Sequence, residues 1–297
     1  MNDEPRLPPR DPRGHQGTFG TVLVVGGQAL APRIMLGGPA FTAIGALRCG
    51  AGLAVLAVPA PLMGHALAIA PSATGFALPT DADDAVAPEA AAGQLETELG
   101  RVHALALGPG LGAPEHAGSP TARLVRMLAG AAGPPAVVDA DALNAIAILA
   151  SADEWPASPW NGRWIVTPHP GEFRRLADAL GLTGDPQSER GRPEAAQALA
   201  RRLGAVVVLK GHRTVVADAS RSWTASVGNA ALATGGSGDV LTGVISGVVA
   251  QFARASLDHP LDLLACARLG VQIHGLAADR WADRHGTAGM LATDLLD

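Results

Sequence analysis

Short apolar runs recur along the chain at Thr21–Gly26, Leu53–Val58, Val102–Leu107, Ala136–Asp141, Arg163–Thr167 and Ala205–Lys210. None alternates apolar with polar residues, so each predicts a strand buried on both faces, as in a parallel sheet. Between the runs, helical spacing predicts helices over Met35–Arg48, Gly93–Leu99, Pro120–Leu128, Ala142–Ala150, from the Pro168–Glu172 segment to Leu180, over Glu194–Leu203 and over Leu261–Trp281. A last helical turn or two is expected at Met290–Leu296. Gln28–Ile34 and Gly184–Pro193 read as loops, and Asp81–Ala92 as acidic surface. His212–Ala217 and Ser222–Ala225 read as a more polar β pair at a sheet edge. Strand and helix alternate throughout, which predicts an α/β fold: a doubly wound, mostly parallel sheet flanked by helices on both faces. Residues 1–17 predict an irregular arm, and with no repeat or linker beyond it residues 18–297 predict one domain.

The pattern changes character at Gly235-Gly236-Ser237-Gly238-Asp239. A tight glycine turn runs straight into a helix whose apolar residues Leu241, Val244, Ile245, Val248, Val249 and Phe252 share one face. Such a turn leaves backbone N–H groups uncovered at the positive end of a helix dipole, which favours phosphate. A carboxylate beside that phosphate is electrostatically costly unless it has a task. Asp239, kept ionised at neutral pH by the helix end, is therefore expected either to take a proton from a hydroxyl attacking phosphorus or to hold Mg²⁺. Gly108–Gly112, Asp139, Asp141, His169 and Lys210 all follow apolar runs, and ligands of open α/β sheets bind at the carboxyl ends of strands.

Composition narrows the classes. Hydrophobic residues make up 48% of 297 and charged residues 16%, enough for a large core, while a net charge of −5 without basic clusters argues against nucleic acid as a partner. Between Arg48 and Asp81 only His65 can carry charge, but four prolines divide that stretch into pieces too short for a bilayer, so no membrane association is expected. Asp3 and Glu4 stand where a signal peptide would need basic and apolar residues, and the expected location is the cytoplasm. Cys49 and Cys266 read as buried thiols rather than a disulfide or metal pair.

The motifs GPGLG (Gly108–Gly112), VVDADALN (Val137–Asn144), TPHPGE (Thr167–Glu172), VVLKG (Val207–Gly211) and GNAALATGGSGDVLTG (Gly228–Gly243) together resemble the ADP-dependent NAD(P)H-hydrate dehydratases of the ribokinase-like superfamily. LPPRDPRGHQGTFG (Leu7–Gly20) and ALRCGAGL (Ala46–Leu53) extend the resemblance over nearly the whole chain. It implies a ribokinase-like sheet and removal of water from the S epimer of hydrated NADH or NADPH. ADP, with ATP as the alternative, would be consumed to AMP and phosphate with Mg²⁺. It implies Asp239 as the base, and Gly235, Gly236, Ser237, Gly238 and Lys210 at the phosphates. Gly38, Gly110, His169 and Asp239 would meet the dinucleotide; Asp139, Asp141, Asn144 and Glu172 would meet substrate or metal-bound water, with no direct metal ligand assigned. His169 between two prolines is an odd place for a structural histidine, whereas Glu172 could equally be a first-turn helix residue. The resemblance further implies a homo-oligomer, with a tetramer as the candidate form, and a separately encoded epimerase.

The chain departs from the family pattern after its first strand, where QALAPRI follows Gly26-Gly27 before Met35-Leu36-Gly37-Gly38. The longer link is expected to reshape the rim of the pocket. Two other readings stay open: a vitamin-type kinase of the same superfamily, which the GTFG arm disfavours, and a non-catalytic nucleotide sensor, which would have no need of Asp239.

Overall fold

The structure, a computed structural model, describes residues 6–157 and 159–297. Strands β1 (Thr21–Val25), β2 (Leu53–Pro59), β3 (Thr74–Leu78), β4 (Ala104–Leu107), β5 (Ala136–Val138), β6 (Trp164–Val166), β7 (Val206–Leu209), β8 (Val215–Ala217) and β9 (Ser222–Thr224) form one sheet in the order β3-β2-β1-β4-β5-β6-β7-β8-β9. Pairing is parallel from β3 through β7 and antiparallel across β7-β8-β9, so the polar pair closes one edge as expected. Helices α1 (Gly37–Arg48) and α2 (Met63–Ile69) cover one face, with α8 (Ser237–Phe252) and α9 (Leu263–His285). Helices α3 (Pro88–Leu99), α4 (Pro120–Gly130), α5 (Asp141–Ser151), α6 (Pro170–Ala179) and α7 (Arg192–Leu203) cover the other. The continuous apolar runs follow from this: Leu23 and Val25 of β1 enter one core, Val22 and Val24 the other. No described helix is long and apolar enough to cross a membrane.

Several boundaries differ from expectation. Residues 48–81 contain β3 and α2 as well as the predicted strand, because β3 is an edge strand with Thr74, Gly75 and Ala77 exposed and lacks a buried run. Helix α3 starts at Pro88 rather than Gly93, proline being tolerated in a first turn. Strand β5 stops at Val138, which leaves Asp139 beyond the sheet. The first five residues of the predicted arm lie outside the described residues. The rest is irregular up to a 3-10 turn at Gln16–Phe19 capped by His15, and Arg10 sits 3.6 Å over the Phe19 ring.

Helices α1 and α8 cross closely because glycine lies at their contacts. A Cβ on Gly243 would fall 2.1 Å from the Thr42 carbonyl oxygen, one on Gly247 2.7 Å from that of Ala46, and one on Gly45 2.9 Å from that of Val240. The crossing sets the amino ends of both helices side by side at the carboxyl edge of the sheet.

Candidate functional site

Gly236 caps α8 with φ of 87°, a left-handed conformation that glycine adopts without strain. No side chain caps this helix, and the amides of Gly238 and Asp239 have no acceptor among the described residues. The turn is also crowded on its inner side: a Cβ on Gly236 would fall 2.9 Å from Ala292 Cβ and 3.0 Å from the Phe41 ring. Backbone donors thus face a space that no side chain fills, the arrangement an anion requires.

Asp239 projects from the first turn of α8 toward the first turn of α1, and a Cβ on Gly38 would sit 3.2 Å from its Oδ1. Gly38 therefore lets the first turn of α1 approach the carboxylate closely, where any side chain would crowd it. The expectation that the helix end keeps Asp239 at an ordinary carboxylate value needs correction. Burial, reinforced by repulsion from Asp139, pushes its pKa up to about 7 despite the Lys210 charge nearby.

Beneath the turn lies a buried polar cluster drawn from three adjacent strand ends. Lys210 Nζ, after β7, is 2.6 Å from Oδ1 of Asp139, which follows β5, and 3.8 Å from Oε2 of Glu172, after β6. The Thr242 hydroxyl donates to Asp139 Oδ2 at 2.8 Å. Burial opposes the lysine charge, but Asp139 and Glu172 outweigh it and raise the Lys210 pKa. Glu172 is pushed up to about 7 by burial and by Asp139, with Lys210 opposing. A Cβ on Gly238 would stand 3.4 Å from Lys210 Nζ, so the cation lies directly under the anion turn.

His169 has a structural task that its flanking prolines concealed. Its Nδ1 accepts from the amides of Gly171 and Glu172, while Glu172 Oε2 accepts from the His169 amide at 2.8 Å, a reciprocal cap on α6. The His169 side chain is nevertheless half exposed, with its Nε2 3.5 Å from Glu172 Oε1. Asp141 opens α5 and accepts from the Gly112 amide at 2.9 Å; burial raises its pKa against that bond. Asn144 accepts from Arg175 at 2.8 Å and its side chain also hydrogen-bonds Asp141.

Strand order reverses between β1 and β4, and the two glycine loops meet there. The Gly27 amide donates to the Pro109 carbonyl at 3.0 Å, and a Cβ on Gly110 would fall 3.1 Å from Met35 Cβ. A groove of about 710 Å³ leads away from this switch point. Gln28 and Met35 bridge the ends of the long link, and its residues Leu30–Arg33 line the groove.

Two side chains at the site went unnoticed in the sequence. The Thr42 hydroxyl lies 2.9 Å from the Gly38 carbonyl and 3.0 Å from that of Asp239, tying both helix starts together. Buried His274 of α9 donates from Nε2 to the Ser237 carbonyl at 3.0 Å; burial, aided by Lys210, lowers its pKa to about 4 despite that bond. Local spacing hints only at the short-range bonds of Thr42 and Thr242, each four residues after a glycine in the first turn of a helix. His274 carries no local signal. Among the described residues no group of three acidic, histidine or cysteine side chains is arranged to hold a metal.

The family described as NAD(P)H-hydrate dehydratase matches residues 22–297. The ADP-dependent (S)-NAD(P)H-hydrate dehydratase of Bacillus subtilis is 33% identical over 98% of this chain and 91% of its own. A bifunctional NAD(P)H-hydrate repair enzyme of Salinibacter ruber is 39% identical over 98% of this chain and 49% of its own length; the chain spans about half of such relatives. Among solved structures, the B. subtilis ADP/ATP-dependent NAD(P)H-hydrate dehydratase co-crystallised with ATP and Mg²⁺ superposes with a TM-score of 0.73 at 29% identity, covering 98% of this chain and 91% of that one. A hydroxyethylthiazole kinase from Pyrococcus horikoshii, at 16% identity and a TM-score of 0.55, shares the ribokinase-like fold.

Proposed function

Because the chain belongs to the NAD(P)H-hydrate dehydratase family, we propose that it dehydrates the S epimer of hydrated NADH and NADPH, converting ADP to AMP and phosphate. The observation that carries this reading is the placement of Asp239 beside the uncapped amides of α8 and against Gly38, where the lack of a side chain leaves the carboxylate uncrowded. Asp239 takes the proton of the ring hydroxyl as its oxygen attacks the terminal phosphorus of ADP and AMP departs. The amides at Gly235–Gly238 hold the moving phosphoryl group, and Lys210 supplies positive charge from below. Hydroxide is a poor leaving group, whereas phosphate is a good one. The ring nitrogen then expels phosphate, and loss of a proton from the neighbouring carbon restores the ring double bond.

The dinucleotide lies along the switch-point loops, with Gly38 and Gly110 giving close backbone approach and the half-exposed His169 side chain at its flank. Asp141, Asn144 and Glu172 shape the rim beside it. Mg²⁺ comes with the nucleotide, held by phosphate oxygens and water, and neutralises phosphate charge. An epimerase supplies the S epimer from the R epimer.

With ADP and Mg²⁺, the purified protein is expected to restore the near-ultraviolet absorbance of the reduced ring from hydrated NADH. Stable phosphate transfer to a vitamin alcohol with the hydrate untouched overturns the reading in favour of a kinase; ATP in parallel gives the nucleotide preference. The protein is further proposed to work in the cytoplasm as a homo-oligomer, with a tetramer as the candidate form. Leu276 and Leu291, 40% and 62% exposed, support self-association, and a monomeric mass by light scattering refutes it.

A further inference from the structure

Thr242 has no assigned role, yet it stands at the centre of the cluster beneath the phosphoryl site. It lies one helical turn after Gly238 and is fully buried. Its hydroxyl is 2.8 Å from Asp139 Oδ2, with the Gly238 carbonyl at 3.1 Å. A hydroxyl has one proton, and the shorter contact to a carboxylate takes the larger share. Asp139, 1% exposed, holds Lys210 Nζ at 2.6 Å through its other oxygen. We propose that Thr242 is a positioning residue that acts through Asp139 to keep the Lys210 ammonium beneath Gly238, where its charge reinforces the anion turn.

The alternative placement of the cation is visible. Glu172 Oε2 lies 3.8 Å from Nζ and offers a second carboxylate. Without the Thr242 hydroxyl, Asp139 Oδ2 loses its donor and the carboxylate is no longer fixed in rotation. Lys210 can then shift toward Glu172, taking positive charge away from the phosphates.

This rests on the proposed dehydratase reading, so the test includes nucleotide binding as well as turnover. Thr242→Val keeps shape and branching but removes the hydroxyl. ADP affinity, measured by calorimetry, is expected to weaken about 5- to 10-fold and kcat to fall about tenfold, with KM for the hydrate within about twofold. Thr242→Ser keeps the hydroxyl and is expected to stay within about twofold of wild type in both readouts. In the Asp139→Asn background, Thr242→Val is expected to add little, because both act on one chain of contacts. Should the valine variant fail to fold, Thr242→Ala removes the hydroxyl without adding bulk and serves in its place. Unchanged ADP affinity in the variant lacking the hydroxyl overturns the inference, as does a serine variant impaired like valine or full additivity with Asp139→Asn. A wild type that binds ADP but leaves the hydrate untouched sinks the dehydratase reading alone, and the affinity comparison still decides the role of Thr242.

Discussion

Asp239→Asn is expected to lower turnover by roughly 10²-fold or more, the usual scale for losing a positioned base, while ADP affinity holds or tightens slightly. The substitution keeps size and hydrogen bonding and removes basicity and charge beside the phosphates. Loss of activity that only follows loss of ADP binding would show a binding residue instead of a base. The pKa near 7 adds a second signature. A base must be ionised to work, so kcat/KM should rise with pH through neutrality rather than reach its plateau near the ordinary carboxylate range. Glu172 shares Lys210 and Asp139 and is also raised to about 7, so the limb belongs to the cluster; Glu172→Gln should move it without abolishing turnover. The same shift predicts a change in stability. For Asp239 the folded-state value lies above the unfolded one, so ionisation costs stability as pH rises from about 4 to 7 and throughout the range above. Asp239→Asn should therefore melt higher than wild type at about pH 8, with the advantage gone below about pH 4. An equal Tm at both pH values contradicts a strained carboxylate.

Gly243→Ala is expected to cost both stability and activity through a single methyl group. Its Cβ would stand 2.1 Å from the Thr42 carbonyl oxygen, an atom of helical backbone that cannot turn aside. Overpacking of this kind costs about 2–3 kcal/mol. For a chain of this size that lowers Tm by about 4–8 °C. Activity should suffer as well. Thr42 accepts its place from the crossing it bridges, and any widening separates Gly38 from Asp239. A loss of roughly 10- to 100-fold in kcat, measured well below Tm, fits displacement of a base by a fraction of an ångström to an ångström. Gly93→Ala is the control: it sits within α3 with no atom near its would-be Cβ and should be neutral or mildly stabilising. If the two alanines behave alike, close helix crossing is not what holds the site.

What was legible in the sequence follows a physical line. Runs such as Val22–Val25 and Val206–Leu209 announced buried parallel strands because both faces of the sheet are covered. The Gly235–Gly238 turn announced an uncapped helix start because backbone donors need no partner elsewhere to be recognised. Edge strand β3, with exposed residues and a glycine, carries no such run. Thr42 and His274 bond to carbonyls 197 and 37 residues away, distances at which no local spacing rule applies. The ionisation of Asp239 was misjudged for a related reason. The helix dipole is local and visible in sequence, whereas Asp139, which adds repulsion, is a hundred positions upstream and reaches it only through the fold. The proline-flanked His169 has a second reason for its context that the sequence did not show: it caps α6.

The Thr42–Asp239 contact also bears on the life of the nascent chain. At synthesis rates of about 5–20 residues per second, α8 follows α1 by roughly 10–40 seconds. Throughout that interval the glycine-faced side of α1 has no partner, and strands β1 to β7 can pair while the acid that completes the site is still untranslated. Closing so long a loop adds little entropy cost beyond that of a shorter one, but it places assembly of the reactive end last. A ribosome-bound intermediate therefore presents a nearly complete sheet with an uncovered apolar flank, the kind of surface a chaperone holds, and it remains catalytically silent until the final pair of helices docks.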